Sequence, residues 1–139
     1  MSQTLLAGLS RTTQPRSMVR RFLALDALVT GANGIAYLAA SGPLAELLGV
    51  GRGLLLGLGA FLTVYAGGVA WLASRPQPPV PGVKAVVDAN LLWSALSVVA
   101  LLAWLEPTAA GTVWTLMQAG TVAGFAALQW GALRATATP

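Results

Sequence analysis

The apolar residues of this chain arrive in blocks of about twenty, the length at which a helix rising about 1.5 Å per residue crosses a hydrocarbon core about 30 Å thick. That block length limits the fold more than any other feature of the sequence. A soluble domain carries about 25% charged residues. Here only 9% of 139 residues are charged and 56% are hydrophobic. The chain therefore reads as an all-α, polytopic membrane protein, a four-transmembrane-helix bundle. The spans expected are 19–40, 53–73, 83–105 and 109–133, within one domain flanked by cytoplasmic tails at 1–18 and 135–139.

Punctuation along the chain sets these limits. Residues 1–18 are polar and carry Arg11, Pro15 and Arg16, so a disordered tail is expected, with a short surface helix over 4–9 as the alternative. Arg20-Arg21 before Phe22-Leu23 lacks the intervening residue of a twin-arginine signal, and the apolar run is longer than the secretory h-region of about 7 to 15 residues. An uncleaved first span is the reading retained. It stops at Ser41-Gly42-Pro43. The still apolar connector 44–52 is expected in the membrane interface, and the proline-rich linker 76–82 is expected to be extended. Trp71, Trp104, Trp114 and Trp130 fall near span ends, where amphipathic rings favour the headgroup level, while Trp93 belongs to the interior or to a helix contact.

Charge placement orients this layout. Arg11, Arg16, Arg20, Arg21, Arg75, Lys84 and Arg134 fall on one side of the expected bundle, against Arg52 on the other. By the positive-inside rule this places the protein in the cell membrane as a multi-pass chain with both termini cytoplasmic, and the loops holding Glu46 and Glu106 outside. The net charge of +4 therefore reads as an orientation signal and not as a nucleic-acid footprint. Cysteine and histidine are both absent, which removes thiol chemistry, disulfides, Cys/His metal sites and histidine proton transfer. No metal site, cofactor or catalytic residue is expected.

Polar residues inside the spans are the candidate site. Asp26, Thr30, Asn33 and Tyr37 follow one another at steps of four, three and four, so they form a stripe on one helix face. Asp88 lies at a corresponding depth, with Asn90 and Trp93 partly rotated away. A carboxylate inside a membrane needs a partner or a wet cavity. One reading is a cytoplasm-facing polar pocket of Asp26, Tyr65, Asp88 and Gln129, with Asn33 and Gln118 deeper. Alternatively Asp88 pairs locally with Lys84, and the remaining polar groups only cross-bond the bundle. Leu25-Asp26-Ala27 and Val87-Asp88-Ala89, followed by Pro43 and Pro107, also suggest an internal duplication.

Gly53, Gly57, Gly120 and Gly124 form small-x-x-x-small pairs that allow close helix packing, internally or across a homodimer. The glycines over 49–59 satisfy neither dinucleotide nor Walker spacing and carry no phosphate-loop reading. Taken whole, the chain resembles the small four-helix membrane proteins of DoxX-like type. The residues that carry this are Arg20-Arg21-Phe22-Leu23-Ala24-Leu25-Asp26-Ala27-Leu28, Ser41-Gly42-Pro43 and Gly111-Thr112-Val113-Trp114. The resemblance implies an accessory role beside membrane redox partners and assigns no catalytic residue. Three functions follow as expectations: a non-enzymatic accessory or scaffold protein, a small proton-coupled transporter using Asp26, and an isomerase or cyclase acting on a lipid-like substrate. The partners expected are the lipid bilayer, another membrane protein or a second copy, and a lipid or quinone ligand, with no nucleic acid.

Overall fold

Among the described residues five helices make up the fold. The computed structural model describes residues 14–137. The helices are α1 (Gln14–Ala39), α2 (Ser41–Leu48), α3 (Arg52–Ser74), α4 (Val80–Ala103) and α5 (Ala109–Ala137). The expected surface helix over 4–9 lies outside the described residues. α1 begins at Gln14, so helix replaces the expected tail from there onward.

The four-span count does not hold. Among the described residues three helices are long and apolar enough to cross a membrane: Arg16–Ala39 within α1, then α3 and α4. α5 has 29 residues, ample length, but Gln118, Gln129, four glycines and several threonines dilute its apolar content. The four-transmembrane-helix bundle is thus corrected to an all-α, five-helix, membrane-spanning architecture with three candidate spans. The three expected functions were each cast on a four-span protein, and that premise falls with the count. An even number of crossings no longer places both termini on one side.

Helix boundaries follow from local chemistry. α1 and α2 are separated by a break at Ala40, and Pro43 is tolerated because it sits in the first turn of α2, where backbone N–H groups have no helical partner. α2 ends on Gly49, whose φ of 71° is the left-handed conformation that glycine adopts without strain. Thr108 then locks this corner to α5. Its hydroxyl donates to the Leu47 carbonyl (2.7 Å), its N–H donates to the Leu48 carbonyl (3.2 Å), and the hydroxyl accepts from the N–H of Gly111 (3.1 Å). One residue therefore caps the start of α5 and satisfies carbonyls at the end of α2. At the opposite end, Arg20 Nε donates to the Ala73 carbonyl at 3.1 Å, a cation on the C-terminal turn of α3. The expected extended linker is shorter than 76–82, because α4 starts at Val80 with Pro81 in its first turn.

α1 is the hub. It packs along α3 and along α5, while α4 packs along α5. The α1/α3 crossing is close: a Cβ on Gly34 would lie 2.7 Å from Thr63 Oγ1 and 2.9 Å from Thr63 N, and one on Gly59 would lie 2.9 Å from the Gly34 carbonyl oxygen. α3 and α4 pack together near the arginine-bearing end, where Val69 and Leu72 join Val83 and Val86 in a core that includes Val19, Leu23, Ala27, Ala132 and Leu133. Away from that end the two helices diverge. Leu28, Ile35, Val64, Leu91 and Leu102 point outward, as expected where the solvent is lipid.

Candidate functional site

The polar stripe on α1 is met by a matching stripe on α5, running antiparallel to it. Asp26 pairs with Gln129, Asn33 with Gln118 and Tyr37 with Trp114, so three rungs tie the two helices together. The Asn33 amide donates to Gln118 Oε1 at 3.1 Å, and the Trp114 indole N–H donates to the Tyr37 hydroxyl at 2.7 Å. These pairings explain the composition of α5. Its glutamines supply the partners that the α1 stripe requires in a medium with no water to supply them.

The first rung widens into a knot. The Asp26 carboxylate is fully buried and accepts three hydrogen bonds: from the Thr30 hydroxyl to Oδ1 (2.9 Å), and from Asn90 Nδ2 (2.7 Å) and Gln129 Nε2 (2.8 Å) to Oδ2. Asn90 Nδ2 also donates to Gln129 Oε1 at 3.1 Å, and its Oδ1 accepts from the Tyr65 hydroxyl at 3.1 Å. Four helices thus contribute to one network. Among the described residues no buried side-chain polar atom lacks a partner. The oxygens of Asp26 meet only donors, the arrangement that suits an acceptor hub.

Of the six candidate pocket residues, Asp26, Tyr65 and Gln129 come together, and Asn33 and Gln118 form the next rung. Asp88 does not join them; it is exposed on the other side of α4. The residue that takes its place is Asn90, which the helix wheel had turned partly away. Val83, Val86, Val87 and Asn90 share the buried face of α4, and that run of valines is the signal that marks Asn90 as inward. Asp26 and Asp88 therefore occupy different environments despite their matching sequence context. At the knot itself the polar groups of Asp26, Asn90 and Gln129 are spent on one another.

The four glycines expected to pack helices internally or across a homodimer do not pack helices within the chain. A Cβ on Gly53, Gly57, Gly120 or Gly124 would meet nothing within 4 Å, and the close crossing uses Gly34 and Gly59 instead. Gly34 has no glycine four positions away, and its partner at that spacing is Thr30, so a search for glycine pairs passes over it.

The divergence of α3 from α4 opens a cleft with two chambers. The inner chamber, about 320 Å³, lies against the knot, with Thr30, Asn33, Tyr65 and Asn90 in its wall. The outer one, about 270 Å³, extends to Leu48, Tyr37, Trp104 and Trp114. Leu58, Trp93, Leu96 and Gln118 line both. Across the gap Phe61 of α3 lies parallel to Trp93 of α4, with centroids 6.0 Å apart and planes 3° from coplanar, and Phe61 also stacks on Tyr65 at 5.9 Å. Leu54, Phe61, Leu92 and Leu96 line the cleft and are also exposed, so it opens sideways between the helices. Among the described residues no group of three His, Cys, Asp or Glu side chains is placed to hold a metal.

No family model, curated protein or solved structure matches the chain. The likeness to DoxX-like proteins thus rests on the quoted residues alone. The coarser description stands: a helical, membrane-associated protein with several apolar helices of spanning length.

Proposed function

We propose that this protein binds a lipophilic molecule, a lipid or a quinone, which moves laterally from the bilayer into the cleft between α3 and α4. One observation carries the reading. The α1/α3, α1/α5 and α4/α5 interfaces are packed, yet consecutive helices α3 and α4 stand apart over a two-chambered, mostly apolar space. Ligand sites in helical proteins favour such gaps, apolar in lining with a few polar groups that fix orientation. Here the polar groups lie on the inner wall, while the lips are leucine and phenylalanine. In this reading the end bearing Arg20, Arg21, Arg75 and Lys84 sits at the cytoplasmic headgroups, on the strength of the charge bias.

Native mass spectrometry of protein purified in mild detergent tests this. The expected result is a bound lipophile on the unaltered protein and its loss from Leu58→Trp, which fills the wall shared by both chambers. A bare mass for the unaltered protein, or equal occupancy in Leu58→Trp, would overturn it.

A further inference from the structure

The hydrogen-bonding capacity left over in the cleft identifies the class of ligand head. Most polar groups in its walls are already committed. Both N–H bonds of the Asn90 amide are used, the Tyr65 hydroxyl hydrogen goes to Asn90 or the Val86 carbonyl, and Ser97 and Thr115 donate to the carbonyls of Trp93 and Gly111. Besides one amide N–H of Asn33 and the indole N–H groups of Trp93 and Trp104, two neighbouring side chains of the outer chamber keep donors to spare. Gln118 accepts from Asn33 through Oε1, which leaves its whole amide NH2 unspent. Tyr37 accepts from Trp114, which leaves the phenolic hydrogen unspent. They stand one rung apart on the α1/α5 ladder, a separation of about one helical turn, and both line the outer chamber.

Charge narrows the class further. No Lys, Arg, Asp or Glu lines either chamber among the described residues. An anionic head such as a phosphate or carboxylate would be desolvated there without a counter-charge, which is strongly unfavourable in a space of this kind. Unspent neutral donors in the lining outnumber the unspent amide oxygen, Asn33 Oδ1, and this balance favours a ligand that brings acceptors and no charge.

Resting on the cleft reading above, we infer that the bound lipophile is neutral and carbonyl-bearing, its oxygen accepting from the Gln118 amide and the Tyr37 hydroxyl while its apolar body lies along Trp93 and Leu96. Two natural sources share this chemistry: the ring carbonyls of a quinone and the ester carbonyls of an uncharged glyceride.

The test uses the full chain in phosphatidylcholine nanodiscs. A decyl-substituted benzoquinone is titrated while its quenching of tryptophan fluorescence is followed, and decylbenzene and dioleoylglycerol are then used as competitors. The expected result is saturable quenching, with the quinone binding more tightly than decylbenzene. Gln118→Leu and Tyr37→Phe, which alter separate rungs, should each weaken quinone binding by about tenfold, the size of one to two ordinary hydrogen bonds lost. Neither should change competition by decylbenzene. Displacement by dioleoylglycerol below the concentration needed for decylbenzene supports the carbonyl class and points to the glyceride as its source. Saturable binding at equal strength for quinone and decylbenzene, or quinone binding unchanged in both variants, overturns this inference and leaves the cleft reading standing. Quenching that never saturates overturns both.

Discussion

Asp26 distinguishes an acceptor hub from a charge kept for its own sake, and replacement by Asn and by Leu separates the two. In Asp26→Asn the side chain can turn its carbonyl toward Asn90 and Gln129 and donate its amide to the Thr30 hydroxyl, so each of the three contacts at 2.7 to 2.9 Å survives. The expected cost is below about 1 kcal/mol, that of weakening charge-assisted bonds to neutral ones. Asp26→Leu removes both acceptor oxygens and with them all three bonds. Thr30 can turn back to a carbonyl one turn earlier, and Asn90 retains Gln129 Oε1, but the fully buried Gln129 amide loses the one acceptor it donates to. Two interhelical bonds at about 0.6 kcal/mol each, plus about 1 to 3 kcal/mol for an orphaned buried donor, put the cost at about 2 to 4 kcal/mol. The assay is reversible unfolding in mixed micelles by SDS titration, followed by tryptophan fluorescence. If Asn proves as costly as Leu, the ionised carboxylate itself is what the fold requires; a Leu cost under about 1 kcal/mol would show the knot is not a stability element.

Other expectations follow from the same contacts. Gly34→Ala should cost about 1 to 3 kcal/mol because its Cβ meets backbone atoms of α3 that cannot yield, whereas Gly124→Ala, in open space, should be neutral in the same SDS titration. Gly49→Ala should destabilise by about 1 to 3 kcal/mol, since φ is 71° and the added Cβ would lie 2.6 Å from Thr108 N; limited proteolysis at the α2/α3 junction should become faster. Asp88→Asn should leave the unfolding midpoint unchanged, while Asn90→Leu should lower it, because only Asn90 bonds the knot; the reverse order would contradict the rotation of α4 described above.

Much of the architecture was legible in residue order. Apolar block length marked the membrane character. The Ser41-Gly42-Pro43 break and the prolines before α4 located helix ends to within a few residues, because capping and proline sterics act locally. The α1 stripe of Asp26, Thr30, Asn33 and Tyr37 does face its neighbours as its period requires. Exposed Trp71, Trp104 and Trp130 lie near helix ends, as amphipathic rings should. Block length alone overcounts the spans, because α5 is long enough but carries glutamines whose polarity is the counterpart of the stripe on α1.

Rotation and separation were decided by tertiary structure alone. Asp88 and Asn90 are two residues apart, about 200° around a helix, and on α4 the lipid-facing side is as apolar as the buried one, so sequence periodicity does not say which of the two turns inward. Packing of Val83, Val86 and Val87 against the core settles it. The same holds for Gly34 and Gly59, and for the parting of α3 from α4. In a membrane every flank of a helix can be apolar at no cost, so which flanks meet and which remain open depends on shape and hydrogen-bond partners brought by other helices.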